Sequence, residues 1–152
     1  MSYLGFLGGF AVLHTASYTL AGILALSISS ALYRGPNRHM DFLRDASDPS
    51  EAKRLQRWAV PLQLPRGIVL ALVLTPILEP LRSLGFWPQF FFLFGLMFVV
   101  ADLASSVPFP GNMEGFIYLR DKYLKRGVYW KLHFESALYS LMLATSASLL
   151  LL

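Results

Sequence analysis

"FWPQFFFLFGLMFVVADLASSV", residues 86–107, carries no charge from Phe86 to Ala101 and then sets Asp102 among apolar neighbours. A helix needs roughly 20 apolar residues to cross a hydrocarbon core about 30 Å thick, and this run supplies them. A carboxylate near a bilayer centre costs at least a few kcal/mol, so Asp102 needs a partner from another helix.

Three more runs of similar length flank this one: Tyr3 to Leu32, Ala59 to Leu78, and Val128 to Leu152. Hydrophobic residues make up 55% of the 152-residue chain and charged residues only 14%, with a mean hydropathy of +0.52. A soluble domain has about 25% charged residues, so the balance is that of an integral membrane protein. The first run lacks a basic leader and is too long for a secretory signal, which makes it a retained helix.

The 13 Lys and Arg residues orient the chain. Arg34, Arg38, Arg44, Lys53, Arg54 and Arg57 lie between the first two runs, and Arg120, Lys122, Lys125, Arg126 and Lys131 cluster before the fourth. Only Arg82 falls in the short connection between the second and third runs. The positive-inside rule then places both long loops in the cytoplasm and both termini outside, in a plasma (inner) membrane. The formal charge of +4 is accounted for by this asymmetry rather than by nucleic-acid binding, because acids are interleaved with the bases. The absence of cysteine excludes disulfides, thiolate metal sites and thiol redox chemistry.

Sliding the chain against itself by half its length, 76 residues, aligns Gly9 with Gly85, Phe10 with Phe86, Ser29-Ser30 with Ser105-Ser106, Gly35 with Gly111, and Leu43-Arg44-Asp45 with Leu119-Arg120-Asp121. The expected architecture is therefore all-α: one membrane domain, 1–152, forming a four-transmembrane-helix bundle. Two tandem hairpins in the same orientation, 1–76 and 77–152, build it as parallel repeats. Asp48, Pro49 and Glu51 predict a capped short helix running toward the second span and interrupted near Pro61 and Pro65. Met113, Phe116, Ile117, Tyr123 and Leu124 predict an amphipathic segment at the cytoplasmic interface. The Leu-Arg-Asp copies are expected to cap or crosslink the two loops.

Counting inward from the cytoplasmic side at 1.5 Å per residue puts Asp102 about 7 Å deep and Glu135 about 10 Å deep, with Arg66 at similar depth. Arg66 between two carboxylates would offset much of their desolvation and leave one carboxylate spare, suited to acid–base work or to holding a proton or cation. Asp102 and Glu135 are thus the candidate acid–base residues, with His133 assisting. Arg66 would bind a polar head, and Pro65 and Gly67 beside it open the ladder and allow close approach. His14 faces Tyr18 one turn on, and both join the candidate binding set. Three histidines, with His39 in a loop, do not supply the three converging ligands of a metal site. No phosphate loop, dinucleotide fingerprint or haem signature occurs, and the sequence leaves the identity of any cofactor unknown.

The second half, "VPFPGNMEGFIYL" followed by "YWKLHFESALYSLMLA", resembles the Pro-x-Asn and Trp-x-x-Leu-His pattern of the anthrone-oxygenase-like family of small four-helix membrane proteins. The pattern falls on Pro110, Asn112, Trp130 and His133 and covers about a third of the chain. The family pattern continues to an arginine three residues after the histidine, where this chain has Ser136. The resemblance implies a four-helix bundle and cofactor-free oxidation of a lipophilic aromatic compound, and it adds Asn112 and Trp130 to the substrate-binding candidates.

Three functions are compatible with these residues. The first is a membrane-embedded enzyme or binding protein acting on a lipophilic small molecule through the Arg66, Asp102 and Glu135 cluster. The second is a small proton- or cation-coupled transporter or channel, most simply a homodimer. The third is an accessory subunit of a membrane complex in which the cluster is structural.

Overall fold

The computed structural model describes residues 1–152, apart from the side chain of Ala101. The chain is all-helical, with no strand among the described residues. Helix α1 spans Tyr3–Tyr33, α2 Pro49–Trp58 and α3 Gln63–Leu74; a 3-10 turn, Thr75–Ile77, joins α3 to α4, Leu78–Arg82. Helix α5, Phe86–Gly95, runs on as a π-helical stretch, Leu96–Leu103; α6 is Met113–Tyr118 and α7 is Arg126–Leu150. Two helical runs, Tyr3–Tyr33 and Gln63–Arg82, are long and apolar enough to cross a membrane.

Helix α1 packs against both α3 and α7, and α5 packs against α7. The tightest approach is at Gly67 of α3, where a Cβ would stand 2.7 Å from the Ala11 Cα and 3.2 Å from the Ala11 oxygen. Phe6 and Phe10 of α1, Leu74, Leu93 of α5, and Leu143 and Ala144 of α7 share one apolar core. A smaller cluster, Leu32, Met40, Val128 and Leu132, closes the end that carries the long loops.

Those loops are built as the caps require. The Asp48 carboxylate accepts from the backbone N–H groups of Ser50 (2.9 Å) and Glu51 (3.0 Å), and Pro49 opens α2. Glu51 does not fold back onto Asp48, as a reciprocal box would have it. Its carboxylate instead accepts from the Asp45 N–H, where it also lies 3.9 Å from Arg44. Helix α2 stops at Trp58 and α3 begins at Gln63, so the break falls over the segment holding Pro61. Gly35 and Gly111, paired by the 76-residue offset, have φ of +88° and +109°, and no other described residue has positive φ. The two loops meet where Lys122 donates to Asp41 at 2.7 Å, beside a hydrogen bond from Tyr123 to the same carboxylate.

Asp45 organises the first loop. Its carboxylate accepts from the Ser47 hydroxyl (2.6 Å), the Ser47 N–H (2.8 Å) and the Gly35 N–H (3.1 Å), with Arg38 at 3.5 Å. The Ser47 bonds foremost, then the Gly35 N–H and Arg38, hold its pKa down at about 2. A lowered folded-state pKa means that the contribution is complete above the ordinary carboxylate value near ~4 and is lost as pH falls through that window. Exchange protection of the Gly35 and Ser47 amides should therefore fall between about pH 4 and 2. Asp45→Asn should show the acid behaviour already at neutral pH, and a profile flat across the window would refute this role.

Candidate functional site

Between the two apolar clusters lies a cavity of about 560 Å³. Arg66 of α3, Asp102 of the π-helical stretch, and Glu135 of α7 all line it, with Tyr18 and Tyr33 of α1 and Tyr139 of α7. Met97 belongs to the wall on the side of the larger core, and Leu43, Phe109 and Leu132 close the loop end. The axial count from the sequence thus coincides with one cavity, but the partners differ from those expected.

Arg66 does not sit in an ion pair between the carboxylates. Among the described residues no ion pair joins it to either one, and its guanidinium lies 5.8 Å from the centre of the Tyr18 ring. Glu135 accepts instead from the Tyr33 hydroxyl at 3.2 Å, which ties the end of α1 to α7. Asp102 faces His133, with Oδ2 and Nδ1 3.5 Å apart, too far and too poorly aligned for a hydrogen bond. The reason is azimuthal. Depth along a helix follows from residue number, but the side facing a partner depends on how the helices are rotated.

The π-helical stretch contributes to that rotation. The Ala104 N–H bonds back five residues to Val99 O at 2.8 Å, so each turn holds more residues than an α-turn. Side chains beyond Leu96 are therefore turned away from their α-helical positions, and Asp102 is one of them. Such π turns are frequent at functional sites, but nothing in the apolar run itself signals one.

His14 is fully buried behind the cavity rather than in its lining. Its Nδ1 lies 2.7 Å from the Tyr139 hydroxyl, and its ring centre is 6.3 Å from that of Tyr18. Asn112 is also buried but is spent on its own loop. Its oxygen accepts from Phe109 N (3.1 Å) and Gly115 N (2.7 Å), and its nitrogen donates to Val107 O (2.7 Å). Trp130 turns outward, 75% exposed, and with His133 lines a second hollow near the start of α7. Ser136, standing where the resembling family has arginine, lines the main cavity. Tyr33 and Tyr139 carry no signal in the sequence, since a tyrosine in an apolar helix has no spacing signature.

Among the described residues no group of three or more His, Asp and Glu side chains is placed to hold a metal ion. Searches of protein-family models, curated proteins and solved structures return no match to this chain.

Proposed function

We propose that this chain is a four-pass integral membrane protein, built from two tandem hairpins, that binds a lipophilic small molecule in the cavity between its four long helical rods. The observation that carries the reading is the joint presence of Arg66, Asp102 and Glu135, from three different helices, in one aromatic-walled cavity. Ligand sites have this composition: a mostly apolar wall with a few polar groups that fix one end of the ligand. Arg66, without a carboxylate partner, holds its charge toward the ligand head, while Asp102 and Glu135 stand ready for proton exchange.

Four passes are supported by the outward faces of the rods. Val12 and Ile23 of α1, Val69 and Val73 of α3, Trp87 and Phe91 of α5, and Leu149 of α7 are all more than half exposed. An aqueous surface rarely tolerates apolar area of that extent. The interfacial placement of α6 rests on Met113, Phe116, Ile117 and Tyr118, each about two-thirds exposed beside the basic cluster. Tandem duplication is supported by the shared left-handed conformation of Gly35 and Gly111. Binding is favoured over coupled transport because the far end of the bundle is sealed by Phe6, Phe10, Leu74 and Leu143, which offer no polar path.

Native mass spectrometry of protein released in mild detergent tests the reading. Wild type should carry a stoichiometric lipophilic adduct, and Arg66→Gln and Glu135→Gln should each reduce its occupancy roughly ten- to hundredfold, the cost of one charged hydrogen bond. A bare wild-type protein, or an adduct indifferent to both substitutions, would remove the small-molecule reading and turn attention to ion flux in liposomes.

A further inference from the structure

Behind the cavity wall, two buried polar atoms have no partner: Nε2 of His14 and Oε1 of Gln63. Their arrangement begins in the break before α3. The Gln63 N–H bonds to Val60 O at 2.9 Å, which leaves the Ala59 carbonyl without the donor that an unbroken helix would give it. The Gln63 side chain supplies one, its Nε2 donating to Ala59 O at 3.0 Å. A carbonyl oxygen can only accept, so the amide nitrogen belongs on Ala59 and the amide oxygen must face the other way. His14, 0% exposed, packs against this face of α3: its Cβ stands 3.2 Å from where a Cβ on Gly67, one turn beyond Gln63, would lie.

The imidazole has two tautomers, and its surroundings suit one of them. With the proton on Nε2, the ring donates toward Gln63 Oε1, and Nδ1 is bare to accept from the Tyr139 hydroxyl 2.7 Å away. With the proton on Nδ1, the lone pairs of Nε2 and Oε1 would confront each other in a site that water does not reach, leaving both without a donor.

We propose that Gln63 is a positioning residue of the cavity. It holds His14 as the Nε2–H tautomer, and His14 in turn engages the Tyr139 O–H, leaving the Tyr139 oxygen as a hydrogen-bond acceptor at the inner end. The Met97 sulfur, 3.7 Å away, is only a weak acceptor and competes with Nδ1 for the same hydroxyl proton, so it does not occupy the oxygen's lone pairs. A ligand head that brings an O–H or N–H can donate to that oxygen, while Arg66, lining the same cavity, serves the acceptor oxygens of the head. This consequence for the ligand rests on the cavity's being a binding site, whereas the tautomer does not.

Nitrogen NMR of protein labelled with 15N-histidine, in detergent micelles, tests the relay without any ligand. The three histidines are assigned by replacing His39 and His133 singly. Wild-type His14 should be neutral and protonated at Nε2. Gln63→Met, similar in length but without the acceptor, should shift the tautomer ratio toward Nδ1–H by roughly five- to tenfold, the effect of one buried hydrogen bond. Wild-type His14 protonated at Nδ1 would overturn the proposal whether or not the variant folds, as would a folded Gln63→Met protein with an unchanged ratio. The expected tautomer in a protein that carries no adduct would leave the relay standing and remove only the binding reading.

Discussion

Gly67→Ala should loosen α3 from α1 and lower stability by about 1–3 kcal/mol, the usual range for overpacking. The added methyl would stand 2.7 Å from the Ala11 Cα, with the Ala11 oxygen and the His14 Cβ each at 3.2 Å. Two of the three obstacles are backbone atoms, so no rotamer change relieves the clash and the helices must part. The gain of up to about 1 kcal/mol that alanine brings to a helix interior offsets only part of this. Function should suffer with stability, because Arg66 precedes Gly67 and Gln63 lies one turn earlier on the same helix. A shift of α3 carries Arg66 away from the cavity and Gln63 away from His14. Thermal unfolding in detergent measures the effect, with Gly8→Ala as the control: a methyl there meets nothing within 4 Å and should be neutral or stabilising. A Gly67→Ala protein as stable as the Gly8→Ala protein would show that the close approach is not required.

How far the sequence could be read follows from what each signal measures. The apolar runs fix where helices lie, and α1, α3 with α4, and α7 appear close to the runs that predict them. Asp48, Pro49 and the segment around Pro61 fix where α2 starts and where the ladder breaks, since caps and missing N–H groups are local. Position along a helix is legible because the rise per residue is constant, and Arg66, Asp102 and Glu135 line one cavity. Azimuth is not legible. A helix that is apolar nearly all round has no polar face to mark its orientation, so the sequence could not show that Arg66 lies over Tyr18, or that Tyr33 takes Glu135. The π-helical stretch at Leu96–Leu103 adds a rotation that no residue type announces. Gln63 carries no sequence signal for a related reason: its role comes from a carbonyl freed by the break upstream, which is a property of the backbone.

Gly115→Ala should cost as much as or more than the roughly 3 kcal/mol at the upper end of ordinary overpacking. Its Cβ would overlap the Phe109 carbonyl oxygen outright, lie 2.7 Å from the Phe109 carbonyl carbon, and reach 3.0 Å from Asn112 Oδ1. The same oxygen of Asn112 accepts from the Phe109 and Gly115 N–H groups, so the methyl strikes the group that holds the turn together. Asn112→Ala attacks that turn from the other side, removing the α6 cap and its bond to Val107 O, for about 1–3 kcal/mol. Because both substitutions dismantle one unit, the double variant should be little worse than Gly115→Ala alone, and its departure from additivity measures the unit's energy. Strict additivity would mean that the turn and the cap are independent. The consequence reaches the cavity through Phe109, which lines the loop end and meets Phe42 edge-on at 6.1 Å. Hydrogen exchange should then show lost protection at Phe109 and Gly115 in either single variant. The Pro110 to Asn112 segment would in that way shape the cavity by placing its wall, with Asn112 acting on the site from outside it.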